Sequence, residues 1–210
     1  NKKTAGIIIE PIQGDAGIRI PSFEFMNKLR KICDENCILL IFDEIQSGMG
    51  RTGKLFAFEH FDIVPDILTI GKAFGGGMPI GGFVTSQKLM SLFNNHPNLG
   101  HITTFGGHPV SCAGALGYLN VLKSENILQN VEIKGKLFEK LLSHSSIVEI
   151  RRKGLFFAIE MKNKDIVRRV VEGCRDMGVL SFWFLSCPES FRIAPPLNIS
   201  ESEIRESCLI

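Results

Sequence analysis

"DILTIGKAFGGGMPIGG", residues 66–82, decides how this chain is read. Residues 66–70 form a short apolar run of the kind that makes a buried strand, and Lys72 follows at once, with Gly75, Gly76 and Gly77 behind it. In parallel sheets ligands bind outside the carboxyl ends of the strands, and Lys72 stands at such an end. An amine shielded from water there loses its proton more readily, and a neutral amine adds to an aldehyde to form an imine. The three glycines are expected to let the backbone turn sharply and to leave space for a bulky group. The competing reading is a strand-end lysine whose stem covers apolar surface while its ammonium reaches solvent.

Working outward, "AGIIIE" (5–10) ends at Pro11 and reads as a buried strand. In "PSFEFMNKLRKICDEN" (21–36), Phe25, Met26, Leu29, Ile32 and Cys33 fall at helical spacing, with Ser22 as N-cap and Glu24 in the first turn. "CILLIF" (37–42) is again continuously apolar. Strand, helix and apolar strand make a β-α-β unit, hence a parallel sheet covered on both faces, to which "DILTI" and "GGFVTS" (81–86) add two strands. After "TTFGGHP" (103–109), residues 110–123 and 125–142 read as helices.

The pattern then changes. "VEIRRKGLFFAIEM" (148–161) predicts two strands around Gly154, followed by a charged amphipathic helix over 163–177. "GVLSFWF", "FRIAPPL" and a helix from Ser200 complete the chain. This organisation predicts an α/β domain over residues 1–124 and a small α+β domain over 125–210.

Composition narrows the function. The 210 residues are 44% hydrophobic and carry a net charge of +2 without a polybasic block, so nucleic acid is not an implied partner. No apolar stretch approaches the ~20 residues a membrane helix needs. The six cysteines lie in apolar or helical contexts without a C-x-x-C pair, which reads as reduced, buried thiols in a cytoplasmic protein and not as a zinc site or other metal centre.

Asp43, in "ILLIFDEIQSGMGRTG" (38–53), ends a second apolar strand, where a carboxylate needs a partner to stay charged. Two partners fit. The run resembles a Walker B strand, whose Asp holds magnesium for a nucleotide. Alternatively, the partner is a protonated pyridine nitrogen, which pyridoxal phosphate (PLP) would supply. A Walker A loop needs G-x-x-x-x-G-K-[ST], and the local candidate fails at Asp66 and Ala73.

Five motifs in order, "IIIEPIQGDAG", "LLIFDEIQSGMGRTG", "PDILTIGKAFGGGMPIGG", "TTFGGHP" and "FRIAPPL", resemble the class III (ω-amino) PLP-dependent aminotransferases of fold type I. The resemblance covers essentially the whole chain and matches the C-terminal half of such an enzyme. It implies part of the large, mainly parallel-sheet PLP domain followed by the small C-terminal domain. It further implies that Lys72 forms a Schiff base with the cofactor and then moves the substrate proton, and that Asp43 keeps the pyridine nitrogen protonated. Gln46 matches the family glutamine near the ring hydroxyl. Thr104 matches the threonine that reaches the cofactor phosphate of the neighbouring subunit, which implies a homodimer.

Arg192 matches the arginine that grips a substrate carboxylate, for which a guanidinium fork is suited; alone it would read as a surface arginine on an edge strand. Asp15 stands where ornithine- and acetylornithine-type members carry Glu, the partner of that arginine, so charge is kept with one methylene less reach. His108, in place of the commoner Asn, is a variant turn, and Arg51 and Thr52 are structural.

The activity implied is transfer of an amino group from an ω-amino donor, ornithine- or acetylornithine-like, to 2-oxoglutarate. Aminomutases and decarboxylases share the fold; a nucleotide-binding ATPase and a non-catalytic scaffold are the remote alternatives. The upstream Gly/Ser phosphate loop of the family has no counterpart in these residues, so they are expected to bind PLP poorly by themselves and to be inactive alone.

Overall fold

The computed structural model describes residues 3–94 and 101–210, which form two compact units. The first takes in the chain up to Pro11, Pro21–Met49 and Ala57–Glu125; the second takes in Ile12–Ile20, Gly50–Phe56 and Asn126–Ile210.

The first unit is built on a four-stranded sheet: β1 (Gly6–Ile9), β2 (Leu39–Asp43), β3 (Ile67–Ile70) and β4 (Gly82–Thr85), in that spatial order. The first three strands are parallel and β4 runs antiparallel to β3. Between β1 and β2 runs α1 (Phe23–Glu35), started by Ser22, whose hydroxyl accepts from the Phe25 amide at 3.1 Å. Asp66 ties the entry of β3 to β2 by accepting from the Leu40 amide (2.7 Å) and from Arg30 of α1 (2.9 Å). A 3₁₀ turn, Ala57–His60, lies between β2 and β3, and another, Lys72–Gly75, follows β3. The short α2 (Gln87–Met90) and the long α3 (Pro109–Ser124) complete the unit, with Pro109 opening α3 where its missing N–H costs nothing.

The second unit holds an antiparallel sheet in the order β5-β6-β8-β7: β5 (Ile147–Lys153), β6 (Phe156–Met161), β7 (Phe182–Trp183) and β8 (Ser190–Ile193). It also contains α4 (Ile127–Leu141), α5 (Lys164–Asp176) and α6 (Glu201–Ser207), the last started by a Ser200–Glu203 capping box. β6 lies inside the sheet and is its most buried strand, which the apolar run Phe156–Ile159 requires. Gly154 sits in the β5–β6 turn at φ +58, where a Cβ would fall 2.7 Å from the Thr52 carbonyl carbon and 2.9 Å from the Arg51 oxygen. Arg51 in turn donates to the Leu155 and Pro195 carbonyls (3.3 and 2.5 Å), so residues 51–52 brace this turn and the segment after β8.

Several expectations are corrected. β1 is an edge strand and is not buried: Ile8 is 65% exposed. In β2 only Leu40 and Phe42 are fully buried, so the sheet is well covered on one face and partly on the other. Of the six free cysteines, Cys33 and Cys187 alone are buried, while Cys37 and Cys112 are exposed. Apolar sequence context marks a helix or turn, but not which of its sides finds a neighbour.

Candidate active site

β2 and β3 end side by side, with Asp43 registered against Thr69 and the Glu44 amide donating to the Thr69 carbonyl at 3.1 Å. This places Asp43 and the Lys72 turn at the carboxyl edge of adjacent parallel strands. Asp43 is half-buried and accepts one hydrogen bond, from the Ile45 amide at 3.0 Å to Oδ1. Among the described residues no cation lies within ion-pair distance of it. A carboxylate at this depth with one oxygen unbonded is poised for a cationic or N–H partner.

The neighbouring Glu44 is 1% exposed and was not singled out by the sequence reading. Its Oε2 accepts from Ser47 Oγ (2.6 Å) and its Oε1 from the Phe58 amide (2.8 Å), at the start of the 3₁₀ turn. The carboxylate thereby closes the loop that leaves β2 and opposes the positive end of that turn. Burial pushes the Glu44 carboxyl above the ordinary glutamate value of 4.5, against the opposite pull of hydrogen bonds from Ser47, Ala57 and Phe58. A raised folded-state value means that the unfolded chain ionises first as pH rises. The stability this group contributes is therefore complete below pH 4.5 and is lost as pH climbs through the raised value. In urea unfolding, the wild-type advantage over Glu44→Gln is expected to shrink from pH 4 toward pH 7; a constant difference would mean that Glu44 titrates normally.

Lys72 adopts the left-handed conformation, φ +47, a region that costs a residue with a Cβ about 1–2 kcal/mol. Its side chain is exposed, contrary to the expected shielding, and among the described residues nothing pairs with Nζ. The glycines behind it turn the backbone as expected, with Gly76 and Gly77 at positive φ, and one of them has a further task. A Cβ on Gly76, at φ +57, would lie 2.5 Å from the Gly114 oxygen of α3, and a Cβ on Gly114 would lie 2.6 Å from the Gly75 oxygen. Gly76 and Gly114, each lacking a Cβ, let the lysine turn touch the helix backbone to backbone. Gly77, at φ +95 with nothing within 4 Å of its missing Cβ, is the one beside open space.

Gln46 sits half-buried in the turn after β2, with no hydrogen-bond partner for its amide among the described residues. Thr104 lies in the turn before α3, fully on the surface, next to Phe105, which is 80% exposed. The first unit thus gathers Asp43, Gln46 and Lys72 around two strand ends and carries Thr104 on an uncovered loop. The second unit holds the other two candidates. Arg192 is in β8, flanked by β6 and β7 and so not on an edge strand, with its guanidinium 5.2 Å from the Phe182 ring centroid. No carboxylate is within ion-pair distance of it among the described residues. Asp15 accepts from Ser186 Oγ (2.8 Å) and the Leu185 amide (3.4 Å), so the family pairing with the arginine is absent here.

These groups suit PLP: among the described residues, an unpaired ammonium, a carboxylate with a bare oxygen and an unpartnered amide on adjacent loops. The whole chain, residues 1–210, matches the family model "Aminotransferase class-III". It is 39% identical over 206 residues to the acetylornithine aminotransferase of Methanopyrus kandleri, covering 97% of this chain and 52% of the relative. It is 41% identical over 211 residues to the putrescine aminotransferase of Pectobacterium atrosepticum, covering 97% and 44%. Among solved structures, it is similar to the ornithine aminotransferase of Toxoplasma gondii, in which PLP partly occupies the active site. That match has a TM-score of 0.90, 33% identity and coverage of 100% of this chain and 50% of that one. The chain spans about half the length of these relatives. With the family match, the identities and the fold in agreement, the chain belongs to the class III aminotransferases, a PLP-dependent family.

Proposed function

We propose that these residues serve a PLP-dependent transaminase acting on an ω-amino donor of the ornithine or acetylornithine kind, with 2-oxoglutarate as acceptor, in a cytoplasmic homodimer. The observation that carries this reading is that a strained lysine, unpartnered among the described residues, and a half-bonded carboxylate stand at the ends of neighbouring parallel strands. Bound there, PLP supplies an electron sink. Lys72 Nζ would hold the cofactor covalently and, once displaced by the donor amine, move the proton at the substrate carbon. Asp43 would keep the pyridine nitrogen protonated, and Gln46 would hydrogen-bond the ring hydroxyl. Thr104 would serve the phosphate of a neighbouring subunit; the exposure of its whole loop supports that role.

In the second unit, Arg192 would grip a substrate carboxylate, and the lack of a competing acidic partner among the described residues leaves its fork available. With Asp15 engaged by Ser186 and the Leu185 amide, it does not compete for the arginine, which would leave Arg192 open to a substrate carboxylate. We assign residues 1–124 to the large domain of the family and 125–210 to its small domain, with Ile12–Ile20 and Gly50–Phe56 as the parts of the former that cluster with the second unit. No helix of the described residues is long and apolar enough to cross a membrane.

The test is chemical. Borohydride reduction of the full-length protein, followed by digestion and mass mapping, is expected to find a pyridoxyl adduct on Lys72. An adduct on another lysine, or none, would overturn the reading.

A further inference from the structure

The proposed function assigns the loops after β2 and β3, but not what holds them in register with each other. Both leave their strands through left-handed backbone: Met49 (φ +57) and Gly50 (φ +92) in one, Lys72 (φ +47) and Gly76 (φ +57) in the other. Neighbouring strands alone do not fix the relative position of two such loops, because the ladder hydrogen bonds end with the strands. A third element is needed, and α3 provides it.

Gly114 and Tyr118 are one turn apart and so share a face of α3. Gly114 makes the backbone contact with Gly75 and Gly76, and the Tyr118 Cβ lies 3.3 Å from the position of a Cβ on Gly76. The Tyr118 hydroxyl meanwhile donates to the Met49 carbonyl at 2.7 Å. Met49 is buried, where a carbonyl deprived of its donor is costly, so this bond constrains the backbone that carries it. One helical turn therefore touches the lysine turn with its backbone and the aspartate loop with its phenol. Tyr118 is the only tyrosine of the chain.

We propose that Tyr118 is a positioning residue for the Asp43–Lys72 pair, its hydroxyl pinning the loop after Asp43 to the helix on which the Lys72 turn rests. The proposal depends on the reading that Lys72 and Asp43 hold the cofactor. Tyr118 acts through Met49 and Gly76 and is assigned no contact with the reacting groups. Losing the hydroxyl frees the aspartate loop to drift relative to the lysine, so the cofactor ring is held in the wrong orientation although every group that binds it is present.

The experiment compares full-length wild type with Tyr118→Phe, which removes one oxygen and keeps the ring. The readouts are borohydride mapping of Lys72, the induced circular dichroism of the lysine-bound cofactor, and kcat and KM for the amino donor. In Tyr118→Phe, kcat is expected to fall about tenfold, the fold-change of one hydrogen bond of ordinary worth, with KM for the donor within about twofold. The induced dichroism is expected to shrink while Lys72 still carries the label. Wild-type dichroism and kcat in Tyr118→Phe would overturn the proposal even if its melting temperature falls, because the bond would then be structural only. Should Tyr118→Phe fail to fold, Tyr118→Gln, which keeps a donor at shorter reach, is judged by the same readouts. Absence of a label on wild-type Lys72 would instead overturn the functional reading, and the present inference with it.

Discussion

Replacing Lys72 with Gly should leave the full-length protein without measurable turnover and yet, with both proteins freed of cofactor, no less stable. The loss is at least the roughly 10²–10⁴-fold that a positioned acid–base group contributes, since the same replacement removes covalent attachment of the cofactor. The stability side follows from the backbone. At φ +47 a lysine carries about 1–2 kcal/mol of conformational strain that glycine does not, set against about 0.5–1 kcal/mol of extra chain entropy lost by glycine on folding. With the side chain exposed and unpaired among the described residues, no packing is forfeited, so a net gain of about 1 kcal/mol remains. Urea unfolding beside a steady-state assay checks both halves. A variant that is inactive but clearly less stable would mean that Lys72 contributes contacts in the folded protein that its exposure does not suggest. Strain kept at a residue whose removal stabilises the fold is the pattern expected of a functional position.

Gly76→Ala should be the more damaging change to the fold. The new Cβ meets the Gly114 oxygen at 2.5 Å and the Gly114 carbonyl carbon at 3.1 Å, both backbone atoms of a helix that cannot swing aside as a side chain can. Left-handed strain adds about 1–2 kcal/mol and the overpacking about 1–3 kcal/mol, so a loss of about 2–5 kcal/mol is expected. Gly77→Ala is the internal control. Its φ of +95 imposes strain, but its Cβ would meet nothing within 4 Å, so it should lose only the strain component. Equal losses at the two positions, measured by denaturant unfolding, would show that α3 yields at Gly114 and that the close backbone approach is not rigid.

The contrast between these two glycines marks how far the sequence could be read. Lys72 and Asp43 were legible because each follows an apolar strand, and the end of such a strand is a place where a polar group is conspicuous. Ser22 and Ser200 were legible as helix starts for the same local reason: a cap acts within three residues of itself. Glu44, Gly114 and Tyr118 were not. Glu44 follows Asp43 directly and looks like its equal, but strand geometry sends the two side chains to different surroundings. Tyr118 lies in a helix whose apolar residues point several ways, and nothing near it in sequence announces a carbonyl in need of a donor. The exposure of Ile8, Cys37 and Cys112 was missed because an apolar residue records a preference for burial and not the presence of a neighbour.

By itself, then, the sequence determined the elements and their character: apolar runs too short for helices, the caps that start α1 and α6, the β-α-β arrangement and the chemical types at two strand ends. These depend on interactions between residues a few positions apart, which composition and spacing encode directly. The tertiary structure alone decided that Gly76 and Gly114 serve the contact between the lysine turn and α3, that Asp15 turns to Ser186 and away from Arg192, and that one turn of α3 spans both loops of the candidate site. Each of those outcomes depends on backbone atoms or short side chains meeting across long stretches of chain. A backbone oxygen carries no residue identity that a sequence could display, so such contacts become visible only once the chain has folded.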